Sequence, residues 1–432
     1  MKKVLMCFIV GFLIIPLSAE TKVEWGGLFY TYGFFWQNAD FNKNTKDGDN
    51  FLYLHGDVNA KADFGNGVYT FARLGAWGQF GMHPIYVEPL DPNARLLEAY
   101  VGINNIFNTP ISFQLGKMRL LYDWGVVAFD GGEDGATGVK FNFNVEPFTL
   151  DIFGYRLEER GGLASVGAGM DTLPDDIDLY GAYGNLDLME GKVHLKGYVF
   201  MRMEEVVCLY PEITYDDRPM WFGFKTCGKP VDVLHYVLEA TLLSGKKDYT
   251  DGEDVNYKGL ALQGVIDLTI PNTPFSIGGA YITFSGDDVE TDECEEYESA
   301  THGPYTFGFY KWWPGFGPAH TMTTGYGFAC LAPWNYSMVN LNVINGHLGL
   351  TQGPLSLRVD FFNYARNLVA ENYHSAMGNE IALHLNYNYL DALTLGFAAG
   401  YWMPGDYQKK DWGLEDDASG VLGGFFYIYR EF

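Results

Sequence analysis

Beyond its first nineteen residues the chain has no run of about eighteen apolar residues, so no segment is fit to cross a bilayer as a single helix. Charge is scarce too. Charged residues make up 19% of the 432, below the roughly 25% usual in globular proteins. Basic residues are the scarcest, with 28 Lys and Arg against 54 Asp and Glu and a net charge of −26. That imbalance argues against nucleic acid as a partner, would repel polyanions at a channel mouth, and favours cations as guests. The nine histidines are scattered, and neither a Gly-x-Ser-x-Gly elbow nor a His-Glu-x-x-His helix occurs, so no enzyme, cofactor or metal centre is expected. No plug-like domain precedes the first strand pattern, which begins near Val23.

Aromatic residues, at 17%, and 53 glycines are what the chain has in excess. Lys2 and Lys3, an apolar run from Val4 to Ile15, Pro16 and a small-residue end at Ser18 and Ala19 form a secretory signal peptide, residues 1–19. Its removal takes the net charge to −28. With no spanning helix, an exported chain of this composition reads as an outer-membrane β-barrel over residues 20–432, with one apolar face toward lipid and one polar face inward.

The repeating unit is a period-two stretch of about ten residues closed alternately by a short turn and a longer loop. In 52–64, Leu52, Leu54, Val58, Ala60, Ala62 and Phe64 share one face and Tyr53, His55, Asp57, Asn59, Lys61 and Asp63 the other. Short closures are expected at 65–67, 108–110, 146–147, 190–191, 228–230, 271–274, 352–353 and 390–392. Longer loops are expected at 37–49, 81–94, 118–134, 159–176, 205–217, 245–255, 286–333, 367–378 and 404–419. Eight turns and nine loops predict an all-β, antiparallel up-and-down transmembrane barrel of eighteen strands with both termini in the periplasm. Eighteen strands suit a monomer or a trimer.

The chain ends Gly424-Phe425-Phe426-Tyr427-Ile428-Tyr429-Arg430-Glu431-Phe432. A terminal Phe after an aromatic strand resembles the signal read by the outer-membrane barrel assembly machinery, although stepping back by twos from Phe432 meets Arg430 where an aromatic is usual.

Two stretches resemble the alginate-export type of outer-membrane porin. One is Leu115-Gly116-Lys117-Met118-Arg119, then Tyr122-Asp123-Trp124-Gly125 and Gly138-Val139-Lys140-Phe141. The other runs from Tyr236-Val237-Leu238-Glu239-Ala240 through Pro271–Pro274 to Ser285-Gly286-Asp287-Asp288. The resemblance implies an eighteen-stranded channel. Alginate does not carry over as substrate, because a polyanion exporter would be expected to line its lumen with cations, and this chain is acidic.

Selectivity in such a channel comes from charges on inward strand positions and on loops folded into the pore. Alternation places Asp57, Asp63, Glu98, Asp151, Glu239, Asp267, Asp360 and Glu380 inward, with Lys61, Arg73, Lys140, Lys196, Arg202, Lys225 and Arg358. The signs nearly balance, so these residues either orient dipolar solutes such as saccharides or stabilise one another across the wall. Loop 118–134, which carries Tyr122, Trp124 and Phe129, is either a constriction, with Lys117, Arg119, Asp123 and Asp130 at the eyelet, or a surface loop. Loop 286–333 begins with a carboxylate run that lacks EF-hand spacing and reads as solvated charge. It continues through Tyr305, Phe307, Tyr310, Trp312 and Trp313, which form either a glycan-capturing lid or a small core. Cys294 and Cys330, in that loop, are the preferred disulfide, and Cys208 and Cys227 are expected to lie too far apart to bridge. Small hydrophilic solutes, membrane lipid and lipopolysaccharide are the expected partners.

Overall fold

Exposed apolar residues and buried polar ones alternate along nearly every strand, the inverse of a soluble protein. Val58, Leu74, Leu242, Ile266, Ile344 and Phe426 point outward, while Asp57, Arg73, Glu239, Asp360 and Glu380 are buried inside. In a computed structural model, described over residues 21–38, 42–44, 48–80, 93–120, 122, 135–158, 177–209, 212–250, 252–288, 293–295, 340–389, 393–411, 413–414 and 417–432, this alternation closes into a barrel. The wall strands are β1 (Lys22–Gln37), β2 (Gly48–Asp63), β3 (Val68–Phe80), β4 (Asn93–Ile103), β5 (Ile111–Met118), β6 (Ala136–Val145), β7 (Phe148–Glu158), β8 (Ile177–Leu188), β9 (Val193–Leu209), β10 (Glu212–Val231) and β11 (Leu234–Tyr249). They continue with β13 (Leu260–Thr269), β14 (Phe275–Phe284), β16 (Leu341–Gln352), β17 (Leu355–Arg366), β18 (Ala376–Tyr389), β19 (Leu393–Pro404) and β20 (Val421–Glu431).

Each strand pairs antiparallel with its neighbours, and β20 returns to β1 in the register Leu28 to Glu431 through Gln37 to Leu422. The eighteen-stranded ladder therefore has no free edge, a requirement in hydrocarbon, where an unpaired backbone group finds no water. Gly27 and Phe432 exchange both backbone hydrogen bonds, at 2.8 and 3.0 Å, which carries the seam to the last residue. Two short strands, β12 (Val255–Tyr257) and β15 (Glu293–Cys294), stand outside the wall and pair parallel, bringing two outer loops together.

Two sequence expectations are corrected. No loop spans 205–217, because β9 and β10 stay paired out to Leu209 and Glu212 as one tall hairpin. The turn expected at 228–230 lies beyond Val231, since the register shifts between Gly228 and Val231 and the strand absorbs Lys229 and Pro230. The turn at 390–392 lies outside the described residues. Cys227 pairs with His194 and Cys208 with Ile213, positions about 48 Å apart along β9 at about 3.4 Å per residue.

At the outer end, residues 42–44 and 417–418 clasp. Asn42 bridges Ala418, the Lys43 amide donates to the Asp417 carbonyl at 2.9 Å, and the Lys43 ammonium lies 3.2 Å from the Asp417 carboxylate. Hydrogen bonds from Asn44 and Lys43 hold the Asp417 carboxyl below the ordinary aspartate range. A lowered folded pKa means that this contribution is present at neutral pH and is lost as pH falls through the lowered value. Amide exchange at Lys43 is expected to be slow at neutral pH and to accelerate beyond the intrinsic trend once the pH falls below the ordinary aspartate range. An unchanged protection factor would show that the carboxylate does not hold the clasp.

Candidate functional site

The inward face carries the candidate site, and Asp57, Arg73, Glu98, Arg202, Lys225, Glu239, Asp360 and Glu380 are buried on it, while Asp63 is exposed at the strand end. Most of its charges meet a partner in the wall. Arg73 Nε lies 3.2 Å from Glu98 Oε2, Lys225 3.7 Å from Glu239, and Arg358 2.6 Å from Asp360. Lys140 approaches Asp151 at 3.9 Å, and Lys61 lies over the Tyr69 ring. Lys196 stands opposite Lys225 in the ladder.

The most buried of these groups centres on Arg202, whose side chain is fully enclosed. It donates to Asp217 at 2.9 Å, lies 3.6 Å from Glu204 and covers the Trp221 ring. Tyr257, delivered by the short outer strand β12, donates its hydroxyl to Asp217 at 2.7 Å.

Histidines join the network. His347 bridges Asn345 and Asp267, His235 reaches the other oxygen of Asp267, His384 lies 3.5 Å from Asp360, and His55 lies 3.3 Å from Asp57. Among the described residues no group of three His, Cys, Asp or Glu could hold a metal ion.

Between the charged sectors the lumen wall is aromatic. On β1 and β20, Tyr30, Tyr32, Phe34, Phe425 and Tyr427 touch one another at centroid distances of 5.4–6.1 Å. About half a circuit away, Phe153, Tyr155, Tyr183, Tyr198 and Phe200 tile β7–β9. The first group was hidden in the sequence because β1 and β20 carry apolar residues on both faces, so alternation did not mark which side was inward.

Residues 119, 120 and 122 leave the wall after β5 and turn into the barrel beside a β-bulge in β4. Arg73 pairs with Glu98 and Leu74 with Leu96, leaving Leu97 as the extra residue, fully buried. Three consecutive residues there hold both ends of the segment. The Lys117 ammonium donates to the Leu96 carbonyl at 3.0 Å, the Arg119 amide to Glu98 Oε1 at 2.8 Å, and the Gly135 amide to the Leu97 carbonyl at 2.9 Å.

Gly116 makes the bend possible. Its φ of 138° and the 2.4 Å that would separate a Cβ from the Ala99 carbonyl leave room for no side chain. Met118, Leu120 and Tyr122 are then buried against the aromatic wall of β7–β9.

Of the four residues expected at an eyelet, Arg119 is at this neck, its amide held by Glu98. Lys117 is not inward: it shares the outward face of Ile111 and Leu115, because the strand keeps strict alternation to Met118. Asp123 and Asp130 lie outside the described residues. So do Tyr305, Phe307, Tyr310, Trp312, Trp313 and Cys330, while Cys294 sits in β15.

No protein-family profile and no curated protein matches the chain. Solved structures do. It is similar to OccK2 (OpdF) of Pseudomonas aeruginosa in complex with glucuronate, at a TM-score of 0.56 and 10% identity over 95% of this chain and 98% of that one. It is similar to a BenF-like porin from Pseudomonas fluorescens Pf-5, with the same four values. It also resembles OpdQ of Pseudomonas aeruginosa, at a TM-score of 0.57 and 9% identity over 96% and 99%. Likeness at such identities establishes the shared barrel fold.

Proposed function

We propose that the chain is a porin of the bacterial outer membrane, exported by residues 1–19, that passes small hydrophilic solutes by passive diffusion. The observation that carries this reading is the neck at Arg119 and Tyr122, pinned inside a closed barrel whose inward charges are mostly paired. Paired charges give a polar lining with little net field, which suits neutral and dipolar solutes, while the acidic loops enrich cations at the mouth.

Outside, the apolar band meets lipid and lipopolysaccharide. Phe432, on the lipid face beside the seam, is suited to engage the assembly machinery. The resemblance to alginate-export porins is to their barrel, and the lining gives no support for a polyanionic cargo.

Planar-bilayer recording of the refolded mature protein under a salt gradient tests the reading. Stable conductance steps with a cation-leaning reversal potential are expected. A protein that inserts fully and never conducts would overturn it.

A further inference from the structure

The outer face of the wall changes character in layers as it climbs β10 and β11. Phe222, Leu242 and Leu260 share one rung and are 41%, 58% and 37% exposed. Above them on the same face Arg218 and Lys246 stand directly opposite each other, and one same-face step farther out Asp216 opposes Asp248. Lys258, just past β12, is exposed on this face too, since its neighbour Tyr257 points inward to Asp217. Lys246 is twelve residues along β11 from Leu234. At about 3.4 Å per residue and a tilt near 40°, that places it about 30 Å above the inner end, clear of an apolar band about 25 Å tall.

The charges pair along the strands and not across them. Arg218 lies 2.5 Å from Asp216 on β10, Lys246 lies 2.6 Å from Asp248 on β11, and Lys258 meets Glu293 of β15. Base therefore stays beside base and acid beside acid. Like charges directly opposite in a ladder are destabilising, and exchanging Lys246 with Asp248 would set each charge opposite its complement, so the observed order is costly to the barrel alone. A phosphate between Arg218 and Lys246, with a divalent cation between Asp216 and Asp248, relieves both repulsions. The Arg218, Lys246 and Lys258 side chains are 46%, 50% and 58% exposed, open to such a partner.

We propose that this face docks a phosphorylated glycolipid of the outer leaflet, the lipid A part of lipopolysaccharide. Its acyl chains lie on Phe222, Leu242 and Leu260, a phosphate meets Arg218, Lys246 and Lys258, and a divalent cation joins Asp216 and Asp248 to the headgroup. The order of layers selects this partner: the wall runs apolar, basic, acidic, and the leaflet beside it runs acyl chain, phosphate, bridging cation. Arg and Lys hold phosphate through charge-assisted hydrogen bonds, and carboxylate oxygens are ligands that Mg²⁺ and Ca²⁺ prefer. The site rests on the reading of the chain as an outer-membrane protein, and its test does not use conductance, so the site and the channel can fail separately.

Native mass spectrometry of the refolded mature barrel in detergent, titrated with diphosphoryl lipid A in the presence of Mg²⁺, tests the site. The wild type is expected to retain lipid A, and Arg218→Gln with Lys246→Gln to weaken retention roughly tenfold or more. Asp216→Asn with Asp248→Asn is expected to lose only the share of affinity that EDTA removes from the wild type. Lys409→Gln with Lys410→Gln, which removes equal charge from the segment after β19, is expected to bind as the wild type does. Heat-shifted gel mobility reports whether each variant is folded, and Lys258→Gln, with a smaller loss, serves if the first pair does not refold. Full retention by the Arg218 and Lys246 pair, an equal loss in the Lys409 and Lys410 pair, or equal retention of phosphatidylethanolamine and phosphatidylglycerol by the wild type would overturn the site. A barrel that retains lipid A as expected and never conducts would overturn the channel and leave the site standing.

Discussion

Deleting residues 122–133 is expected to raise single-channel conductance by roughly twofold or more, because side chains folded into the lumen set the resistance of such a pore. The neck gives an independent route to the same outcome. In Glu98→Ala the Arg119 amide loses its acceptor and Arg73 its carboxylate, so the segment is no longer held at one end. Conductance should rise and become noisier, with frequent sub-states. Glu98→Gln keeps an acceptor for the amide and should fall between the two. Unchanged conductance in both the deletion and Glu98→Ala would mean that the narrowest point lies elsewhere, with the segment after β5 packed against the wall and clear of the path.

The second large effect concerns stability. Arg202→Met should destabilise the folded barrel by about 3–5 kcal/mol, the usual cost of removing one partner from a buried ion pair. The loss leaves Asp217 and Glu204, both buried, facing each other across one rung of the β9–β10 ladder. Denaturant unfolding in lipid vesicles measures it. Asp217→Asn added to Arg202→Met should recover much of the loss, because it removes one of the stranded charges and keeps an acceptor for Tyr257. A double variant no more stable than the single would show that the cost comes from packing on Trp221, with charge playing little part.

Much of this architecture was legible in the residues. Period-two alternation identified the wall, and the same alternation assigned Asp57, Arg73, Glu239 and Asp360 to the lumen, because a one-residue slip would have turned an entire strand inside out. Turn chemistry located the inner ends where Gly, Asn and Pro cluster. It failed at 228–230, where those residues sit inside the strand beside a register shift, and at 205–217, where polar residues looked like a loop but stay in a hairpin that outgrows the membrane.

The bulge at Leu97 was invisible, since one extra residue inside an apolar strand leaves no compositional trace. With it went the reason why the segment after β5 turns inward. Lys117 was misplaced for a related reason. A basic residue next to a glycine bend reads as pore lining, yet the strand keeps its register through the bend and the long side chain uses its ammonium on a backbone carbonyl.

The unequal wall has a consequence for how anything arrives. β10 has 20 residues and β5 has 8. At about 3.4 Å per residue and a tilt near 40°, these lengths correspond to heights of about 50 Å and about 20 Å against an apolar band about 25 Å tall. Among the described residues, one side of the wall therefore rises well beyond the apolar band and the other does not. The described wall is thus lowest beside the residues that turn into the lumen after β5, so the barrel's height is least where its path is narrowed.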